Sequence, residues 1–286
     1  MMHKGWLIYR EQDARINQSY IDWFIQEAFS QNVSLELIIR ETLTIGIFNN
    51  ERVVYLKNKL VTKPDFAVVR TIEPLLSMHL ESSGVAVFNS STIAHICNNK
   101  ALTHHHMTDL SIPMVDTVFL KRKDVTDQPP MSYPFVLKES AGRSGKQVYL
   151  IESQQDWNYY KSHLSMEDII IQNCAVQLGK DVRVFIVGQE IIGAVLRESK
   201  EDFRANFTLG GSARLYEIKD AERQMIQKIT TQFDFGMVGI DFLIGTDGSL
   251  LFNEIEDVVG SRTLSAVSDI NIVQKYITHI KRNLSH

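Results

Sequence analysis

The chain has 286 residues, of which 44% are hydrophobic and 22% are charged, and its formal net charge at pH 7 is −4. This composition is typical of a globular protein with two or three packed lobes, and it excludes a low-complexity or disordered chain. The net negative charge gives no bulk electrostatic reason to expect nucleic-acid binding. No apolar run reaches membrane-spanning length, and the first residues lack the apolar core of a secretory signal. A cytoplasmic protein without a membrane or nucleic-acid partner is therefore expected.

The first ninety residues alternate between strand-like and helix-like patterns. Short apolar runs typical of strands lie at 6–9, 34–38, 66–69 and 85–88. Apolar residues at helical spacing follow the first run and return at 75–80, and Asn49-Asn50 indicates a hairpin. The alternation predicts a small parallel α/β domain over residues 1–92.

Two further regions follow, and both are rich in strands. The first, residues 93–175, begins with one helical segment from about Thr92 to Leu110, followed by strands at 115–120, 135–138, 147–151 and 169–172. The second, residues 176–286, has strands at 182–187 and 191–196, a helix near 221–233, a hairpin and a closing helix at 270–284. These patterns predict two lobes with mixed or antiparallel sheets.

The hairpin of the last region carries three carboxylates. Two strand-like runs flank Asp247-Gly248, and a two-residue turn there would set Asp241 directly opposite Glu254, with Glu256 on the same face. Like charges that face each other need compensation, and a divalent cation would supply it. Oxygen ligands favour Mg²⁺. The alternative is a solvated acidic face without a metal.

A small-residue loop follows the strand that ends at Lys138. It contains Gly142 and Gly145, which let backbone N–H groups approach an anion closely. The spacing is not that of a P-loop, and a plain turn between two strands remains the alternative.

Two more polar motifs lie further along the chain. Asp181 and Arg183 share one face of a strand, and they could bind a ligand or simply pair with each other. Arg204 and Asn206 lie in a long polar loop, a type of segment that is often functional.

Taken in order, these motifs resemble an ATP-grasp ligase, specifically the RimK-like branch of carboxylate–amine ligases. The matching segments are Asn99-Lys100 at the start of a helix, 135–138, Gly142-Arg-Ser-Gly145, 169–172, Asn173-Cys174, Asp181-Val-Arg183, 203–206, 238–241 and 253–256. The resemblance implies a fold of α/β and α+β class, in which a small parallel α/β amino-terminal domain precedes two mixed or antiparallel lobes that clasp a nucleotide. The expected domain limits are 1–92, 93–175 and 176–286.

The resemblance also implies roles for individual residues. ATP phosphates would contact Lys100, Lys138 and the loop with Gly142 and Gly145. Adenine would contact main-chain groups of Gln172, Asn173 and Cys174. The ribose side would contact Asp181, and the γ-phosphate would contact Arg204 and Asn206. Asp241, Glu254 and Glu256 would hold two Mg²⁺ ions, with Mn²⁺ as the alternative.

Catalytic and substrate-binding candidates complete the set. Arg183 and Arg204 are candidates to stabilise the transferring phosphoryl group and the tetrahedral oxyanion. Arg70 or Arg262 could hold a substrate carboxylate with two hydrogen bonds. Ser261 has no base partner for a nucleophilic role, and it is grouped with these two arginines as a substrate candidate.

The sequence departs from the family pattern at several positions. Glu256 stands where the family usually has Asn, and Asn173 stands where it often has Glu. The segment from Asp257 to Arg262 lacks the usual Pro-Gly sequence, so the identity of the substrate does not carry over.

The expected function is an ATP-dependent ligase that forms an amide or peptide bond through an acyl phosphate. Its partners would be a small-molecule or peptide carboxylate and an amine, and the oligomeric state is left open, a homo-oligomer included. The alternatives are a small-molecule kinase on the same scaffold and a nucleotide-binding protein without catalysis. His104-His-His106 is interpreted as a partly exposed helix surface, because consecutive helical residues cannot all bind one ion.

Overall fold

The computed structural model describes residues 2–140, 147–165, 167–205 and 211–284. Its amino-terminal elements are β1 (His3–Tyr9), α1 (Glu11–Ile16), α2 (Gln18–Ser30), β2 (Val33–Ile39), β3 (Leu43–Phe48), β4 (Glu51–Leu56), β5 (Lys59–Leu60), β6 (Phe66–Val69), α3 (Pro74–Glu81) and β7 (Ala86–Phe88). Strands β2, β1, β6 and β7 form a parallel sheet in that order, and β3, β4 and β5 form a small antiparallel sheet. The predicted parallel α/β unit and its Asn49-Asn50 hairpin are therefore present.

The order of the parallel sheet creates a crevice. The chain leaves β1 to form β2 on one side, and β6 then lies on the other side of β1. Ligands of parallel sheets commonly bind at the carboxyl ends of strands where the order reverses in this way. Tyr9 and Arg70 stand at these ends of β1 and β6.

The middle elements are α4 (Ser91–Cys97), α5 (Lys100–Asp109), β8 (Thr117–Lys121), β9 (Phe135–Glu139), β10 (Val148–Ile151), α6 (Gln154–Lys161) and β11 (Asp168–Asn173). The four strands form an antiparallel sheet in the order β10, β9, β11, β8. The helical segment predicted from Thr92 to Leu110 is not continuous, because the first helix ends before Asn98; a second helix begins at Lys100, as the match of Asn99-Lys100 to the start of a helix predicts. The Asn99 side chain accepts a hydrogen bond of 3.1 Å from the backbone N–H of Leu102, which caps the second helix.

The last elements are β12 (Val176–Val187), β13 (Glu190–Glu198), β14 (Ser212–Leu215), α7 (Asp220–Gln232), β15 (Met237–Gly245), β16 (Leu250–Glu256), α8 (Arg262–Val267) and α9 (Ile272–Leu284). The strands form an antiparallel sheet in the order β14, β13, β12, β15, β16. The sequence pattern did not predict β14 or α8, which are short.

The packing of apolar side chains joins distant parts of the chain. Phe24 of α2 shares a core with Phe185 and Tyr276 of the C-terminal region. Met107 of α5 packs with the C-terminal sheet, whereas Trp157 belongs to a separate core around β8 to β11. The domain limits stay a prediction, although the helices after residue 92 pack on the C-terminal sheet. Within the described ranges, no helix is long and apolar enough to span a bilayer.

Candidate active site

The hairpin of β15 and β16 places Asp241 opposite Glu254, as the sequence predicts. The predicted two-residue turn is wrong. The Gly245 N–H donates a hydrogen bond of 2.8 Å to the Ser249 carbonyl, and the loop between these residues includes Gly248 at φ +83°. This longer loop shifts the pairing next to the turn by one residue. An extra residue at Asn253 then forms a bulge, which restores the pairing of Asp241 with Glu254. The predicted pairing is thus correct although the predicted turn is not.

Three carboxylates meet on one face of this hairpin. One oxygen each from Asp241, Glu254 and Glu256 lies within 4.8 Å of the others. Asp241 is buried and the two glutamates are half-buried. The convergence predicted from the strand alternation is confirmed.

Two arginines balance the charge of this triad. Arg183 donates to both oxygens of Asp241 at 2.7 and 2.6 Å, and it lies 2.8 Å from Glu256. Arg197 donates to Asp241 at 2.8 Å and to both oxygens of Asp181 at 2.6 and 2.7 Å. The carboxylates are therefore compensated by side chains of the chain itself, rather than by a metal alone.

Arg197 is a site residue that the sequence reading missed. Asp181 and Arg183 do not pair with each other; Asp181 stands opposite Arg197 on β13, and Arg183 stands opposite Asp241 on β15. The available signal was that Arg197 is the first charged residue after the apolar run Ile191–Leu196. Its partners lie on β12 and β15, so only the order of the strands reveals its role.

The ion pairs change the pKa values of the acidic groups. Burial raises the pKa of Asp241, but the charges of Arg183 and Arg197 outweigh it and lower that pKa to about 2. Burial dominates at Asp181, where the pKa rises to about 6 despite Arg197. Burial also raises the pKa of Glu256, against the effect of Arg183. Asp241 therefore stays ionised at neutral pH.

Two lysines reach the same face from other elements. Lys100 at the start of α5 lies 3.0 Å from Glu254. Burial raises the pKa of Glu254, but Lys100 outweighs it and the net pKa is lowered. Lys138, at the end of β9, donates to the Asn253 side chain at 3.1 Å. Burial lowers the pKa of Lys138 to about 8, and no carboxylate among the described residues lies within 4.0 Å of its ammonium group.

His104 lies on α5, one helical turn after Lys100. It is buried, and its Nε2 lies 3.0 Å from the side-chain nitrogen of Gln172. Burial, and then the charge of Lys138, lower the pKa of His104 to about 4. The prediction of a partly exposed histidine surface is wrong for His104, because α5 turns this residue toward the sheet; His105 is exposed and His106 is half-buried.

One cavity of about 250 Å³ is lined by the three carboxylates and by the lysines and arginines around them. The predicted site residues that line it are Lys100, Lys138, Gln172, Asn173, Asp181, Arg183, Arg204, Asp241, Glu254 and Glu256. Arg204 forms a two-bond pair with Asp202 at 2.9 and 2.7 Å. Cys174 is half-buried and next to Asn173. The predicted contacts of Gly142, Gly145 and Asn206 lie outside the described residues.

None of the three substrate candidates is among the described residues that line this cavity. Arg70 is buried and donates to the Tyr9 hydroxyl at 3.2 Å and to the Val259 carbonyl at 2.8 Å. Ser261 is buried, and Arg262 is exposed and donates to Asn17 at 2.9 Å. They stand at the contact between the amino-terminal sheet and the segment that follows β16.

A model of the RimK-like ATP-grasp domain matches residues 97–280. The chain belongs to the RimK-like ATP-grasp family. The family predicted from the motif order is therefore confirmed, and with it, at the level of the family, the class of ATP-dependent carboxylate–amine ligases. ATP and Mg²⁺ are the nucleotide and the metal of this family.

Named relatives and solved structures agree with this membership. Glutamate–LysW ligase ArgX from Sulfurisphaera tokodaii is 25% identical over 241 residues, which cover 80% of this chain and 86% of the relative. Human N-acetylaspartylglutamate synthase A is 26% identical over 283 residues, which cover 91% and 72%. A RimK domain ATP-grasp protein from Sphaerobacter thermophilus superposes with a TM-score of 0.74 at 16% identity, covering 96% and 98% of the two chains, which shows the shared fold.

Proposed function

We propose that this chain uses ATP to convert a carboxylate into an acyl phosphate and transfers the acyl group to an amine. The observation that carries the proposal is the meeting of opposite charges in one cavity. The carboxylates that line it include Asp241, Glu254 and Glu256, and the cations include Lys100, Lys138, Arg183 and Arg197. Phosphoryl transfer requires positioned cations around the moving phosphate, and the cavity has the necessary groups on rigid strands and helix ends.

The carboxylate triad fits a hard cation such as Mg²⁺. An ionised carboxylate offers about four lone-pair positions, and the arginines occupy three at Asp241. One position on Oδ1 of Asp241 is left for a metal, and Glu254 and Glu256 contribute further oxygens within 4.8 Å. The triad would hold two ions, with Mn²⁺ as the alternative metal, and Glu254 would serve both. When bound, the metal neutralises phosphate charge.

The two lysines are assigned to the ATP phosphates. Lys138 has a pKa of about 8, so it is mainly protonated at pH 7, and a phosphate nearby would raise that pKa further. Asn173 lines the cavity, which supports adenine contacts by the backbone of Gln172, Asn173 and Cys174. Asp181 is assigned to the ribose side, while the phosphate contacts of Gly142, Gly145 and Asn206 rest on the motif alone.

The chemistry has two steps. In the first, a carboxylate oxygen of the donor bonds to the terminal phosphorus of ATP as the bond from that phosphorus to ADP breaks. In the second, the amine nitrogen bonds to the acyl carbon, inorganic phosphate leaves, and the amine loses a proton. Arg183 is placed beside Asp241 and Glu256 to stabilise the transferring charge. Arg204 pairs with Asp202 near the surface, where exchanging a carboxylate partner for a phosphate costs little.

The substrates of such a ligase belong to narrower chemical classes than carboxylates and amines in general. The two relatives described above carry glutamate in their names. We therefore propose an amino acid as the amine substrate, with a small molecule or a peptide as the carboxylate donor.

The test is ADP formation with every pair from a panel of amino acids and a panel of carboxylates, with the product identified by mass spectrometry. ADP that requires both partners, together with a new amide, is the expected result. ADP that requires only one hydroxyl compound would identify a kinase, and ATP binding without ADP formation under any pair would contradict the ligase. Glu254→Gln is the control, because it removes one proposed metal ligand with little change in shape.

A further inference from the structure

One edge of the small antiparallel sheet in the amino-terminal unit is bare. The strand order is β3, β4, β5, so β3 (Leu43–Phe48) pairs with β4 on one side, and no other described strand pairs with its second side. β3 contains no charged residue, and Ile47 and Phe48 at its end are 67% and 56% exposed. An exposed, uncharged edge strand can pair with another chain, and proteins normally protect such an edge.

The opposite edge of the same sheet has this protection. β5 is only two residues long, and three exposed lysines lie in it or beside it, namely Lys57, Lys59 and Lys63. A short strand and lysine side chains both hinder pairing with another chain. The contrast within one sheet indicates that β3 is the edge at which a partner strand can pair.

A hydrogen bond before β3 shows which of its backbone groups face outward. The Lys57 N–H donates to the Thr42 carbonyl at 2.9 Å, so these two residues form a hydrogen-bonded pair of the ladder. Bonded and non-bonded pairs alternate along an antiparallel ladder. Every second residue after Thr42 therefore bonds to β4, and the residues between them, Leu43, Ile45 and Ile47, point their N–H and C=O groups away from β4.

Four of these outward groups are free. Both groups of Leu43 bond to Arg40, whose carbonyl accepts from the Leu43 N–H and whose side chain donates to the Leu43 carbonyl at 2.8 Å. The N–H and C=O groups of Ile45 and Ile47 have no hydrogen-bond partner in the described ranges. One side of β3 thus offers two donors and two acceptors with the spacing that an antiparallel strand requires.

We propose that β3 pairs antiparallel with β3 of a second copy of this chain, across a two-fold axis, to form one continuous six-stranded sheet. An antiparallel strand that pairs with itself has the symmetry of a closed dimer. Only one register bonds all four free groups of each copy, and it places Ile45 of one copy opposite Ile47 of the other. The Gly46 residues of the two copies then face each other at the axis.

The side chains of β3 fit this register. The pair at the axis is of the non-bonded type, in which the Cα atoms approach to about 4.5 Å, and glycine allows this approach. The Phe48 ring lies over Gly46, where a Cβ atom would be 2.9 Å from the ring, so the two rings meet across the axis. Ile45 and Ile47 form apolar cross-strand pairs on the other face. Because β3 carries no charge, the paired strands bring no like charges together.

The proposed contact lies away from the catalytic cavity. Leu43, Ile45 and Val54 pack on the core that contains Trp6 and Leu76, whereas the other face of the parallel sheet shares its core with the C-terminal region. No residue of the β3–β5 sheet is among the described residues that line the cavity. The dimer and its test are therefore independent of the ligase reaction.

Sedimentation velocity over a range of protein concentrations measures the dimer. Two short strands bury less than the roughly 1,600 Å² of a standard interface, so we expect a weak dimer with a dissociation constant of about 1 to 100 μM. Ile47→Lys places an ammonium group opposite Ile45 in both copies, and it should raise this constant at least tenfold. Leu60→Lys is the matched control, because Leu60 on β5 is 66% exposed, and it should leave the constant unchanged.

Three results would overturn the proposal. Wild-type protein that is monomeric at about 300 μM would leave the edge to a strand of another protein. A dimer that Ile47→Lys does not weaken, or that Leu60→Lys weakens equally, would lie elsewhere on the surface. Both variants should keep the wild-type unfolding temperature at low protein concentration, because both side chains are exposed.

Cysteine crosslinking tests the register independently. Thr44 should stand opposite Phe48 of the other copy, so the double variant Thr44→Cys/Phe48→Cys should form an intermolecular disulfide when it is oxidised with glutathione disulfide. In either single variant the two introduced cysteines would be four residues apart along the ladder, roughly 13 Å, which is too far for a disulfide. The wild type, in which Cys97 is buried and Cys174 half-buried, is the blank. Crosslinking in a single variant, or none in the double variant, contradicts an axis at Gly46.

Discussion

Replacing Asp241 with asparagine should destabilise the folded protein by about 3 kcal/mol even when no metal is present. The substitution preserves the shape of the side chain but removes the charge at the centre of the ion-pair network. Asp241 accepts three hydrogen bonds from Arg183 and Arg197, and its side chain is 3% exposed. The asparagine oxygen can accept some of these hydrogen bonds, but the asparagine NH₂ group would face a guanidinium group.

The magnitude follows from the pKa and from the remaining partners. The pKa of Asp241 is lowered from the ordinary 3.8 to about 2, which corresponds to roughly 2 to 3 kcal/mol in favour of the ionised form. Removing one partner of a buried ion pair costs about 3 to 5 kcal/mol. The lower end applies because Arg183 keeps Glu256 and Arg197 keeps Asp181.

Urea unfolding at pH 7.5 in the presence of a chelator, followed by tryptophan fluorescence and circular dichroism, measures this loss. Glu254→Gln is the matched carboxylate-to-amide control. Its pair with Lys100 is partly exposed, at 24% and 13%, so its loss should be about 1 kcal/mol.

Equal losses for Asp241→Asn and Glu254→Gln, or a loss below about 1 kcal/mol for Asp241→Asn, would refute the central place of Asp241 in the network. The result also bears on activity measurements. A variant at Asp241 combines lost stability with lost metal binding, so Glu254→Gln is the cleaner probe of the metal.

Three other expectations can be measured directly. Lys138→Ala should weaken ATP binding by about 1.5 to 3 kcal/mol, because a charge-assisted hydrogen bond to phosphate is lost; unchanged affinity by calorimetry would remove this role. Glu256→Asn should preserve substantial ADP formation while Glu254→Gln nearly abolishes it, since only Glu254 is assigned to both ions; equal losses would contradict that division. The buried His104 has a pKa of about 4, below its ordinary 6.5, so its contribution to stability is full above pH 6.5 and is lost as the pH falls through 4. From pH 7.5 to 5, wild-type protein should lose about 2 kcal/mol more than His104→Gln, and equal losses on urea unfolding would refute this.

The sequence by itself determined the features that depend on neighbours along the chain. Strand alternation put Asp241, Glu254 and Glu256 on one face, because side chains two residues apart in a strand point the same way. The order of the motifs identified the family. Local patterns also predicted the parallel amino-terminal unit, in which each strand and helix bears its own periodicity.

Some local details still required the structure. The pairing of Asp241 with Glu254 arises from a longer turn and a bulge at Asn253, whose one-residue shifts cancel. The sequence predicts a helical segment from Thr92 to Leu110, yet the helix breaks at Asn98 because Asn99 caps the next helix. In each case, two local conformations fit nearly the same sequence pattern.

Only the tertiary structure decided which charges meet. Arg183 and Asp241 are 58 residues apart, and Arg70 and Val259 are 189 apart. Arg197 entered the site because β13 pairs with β12, which also pairs with β15. Arg70 became a buried cation because the segment after β16 covers the end of β6. Ion pairing and burial depend on which distant strands become neighbours, and that order results from the packing of the whole sheet rather than from any local pattern.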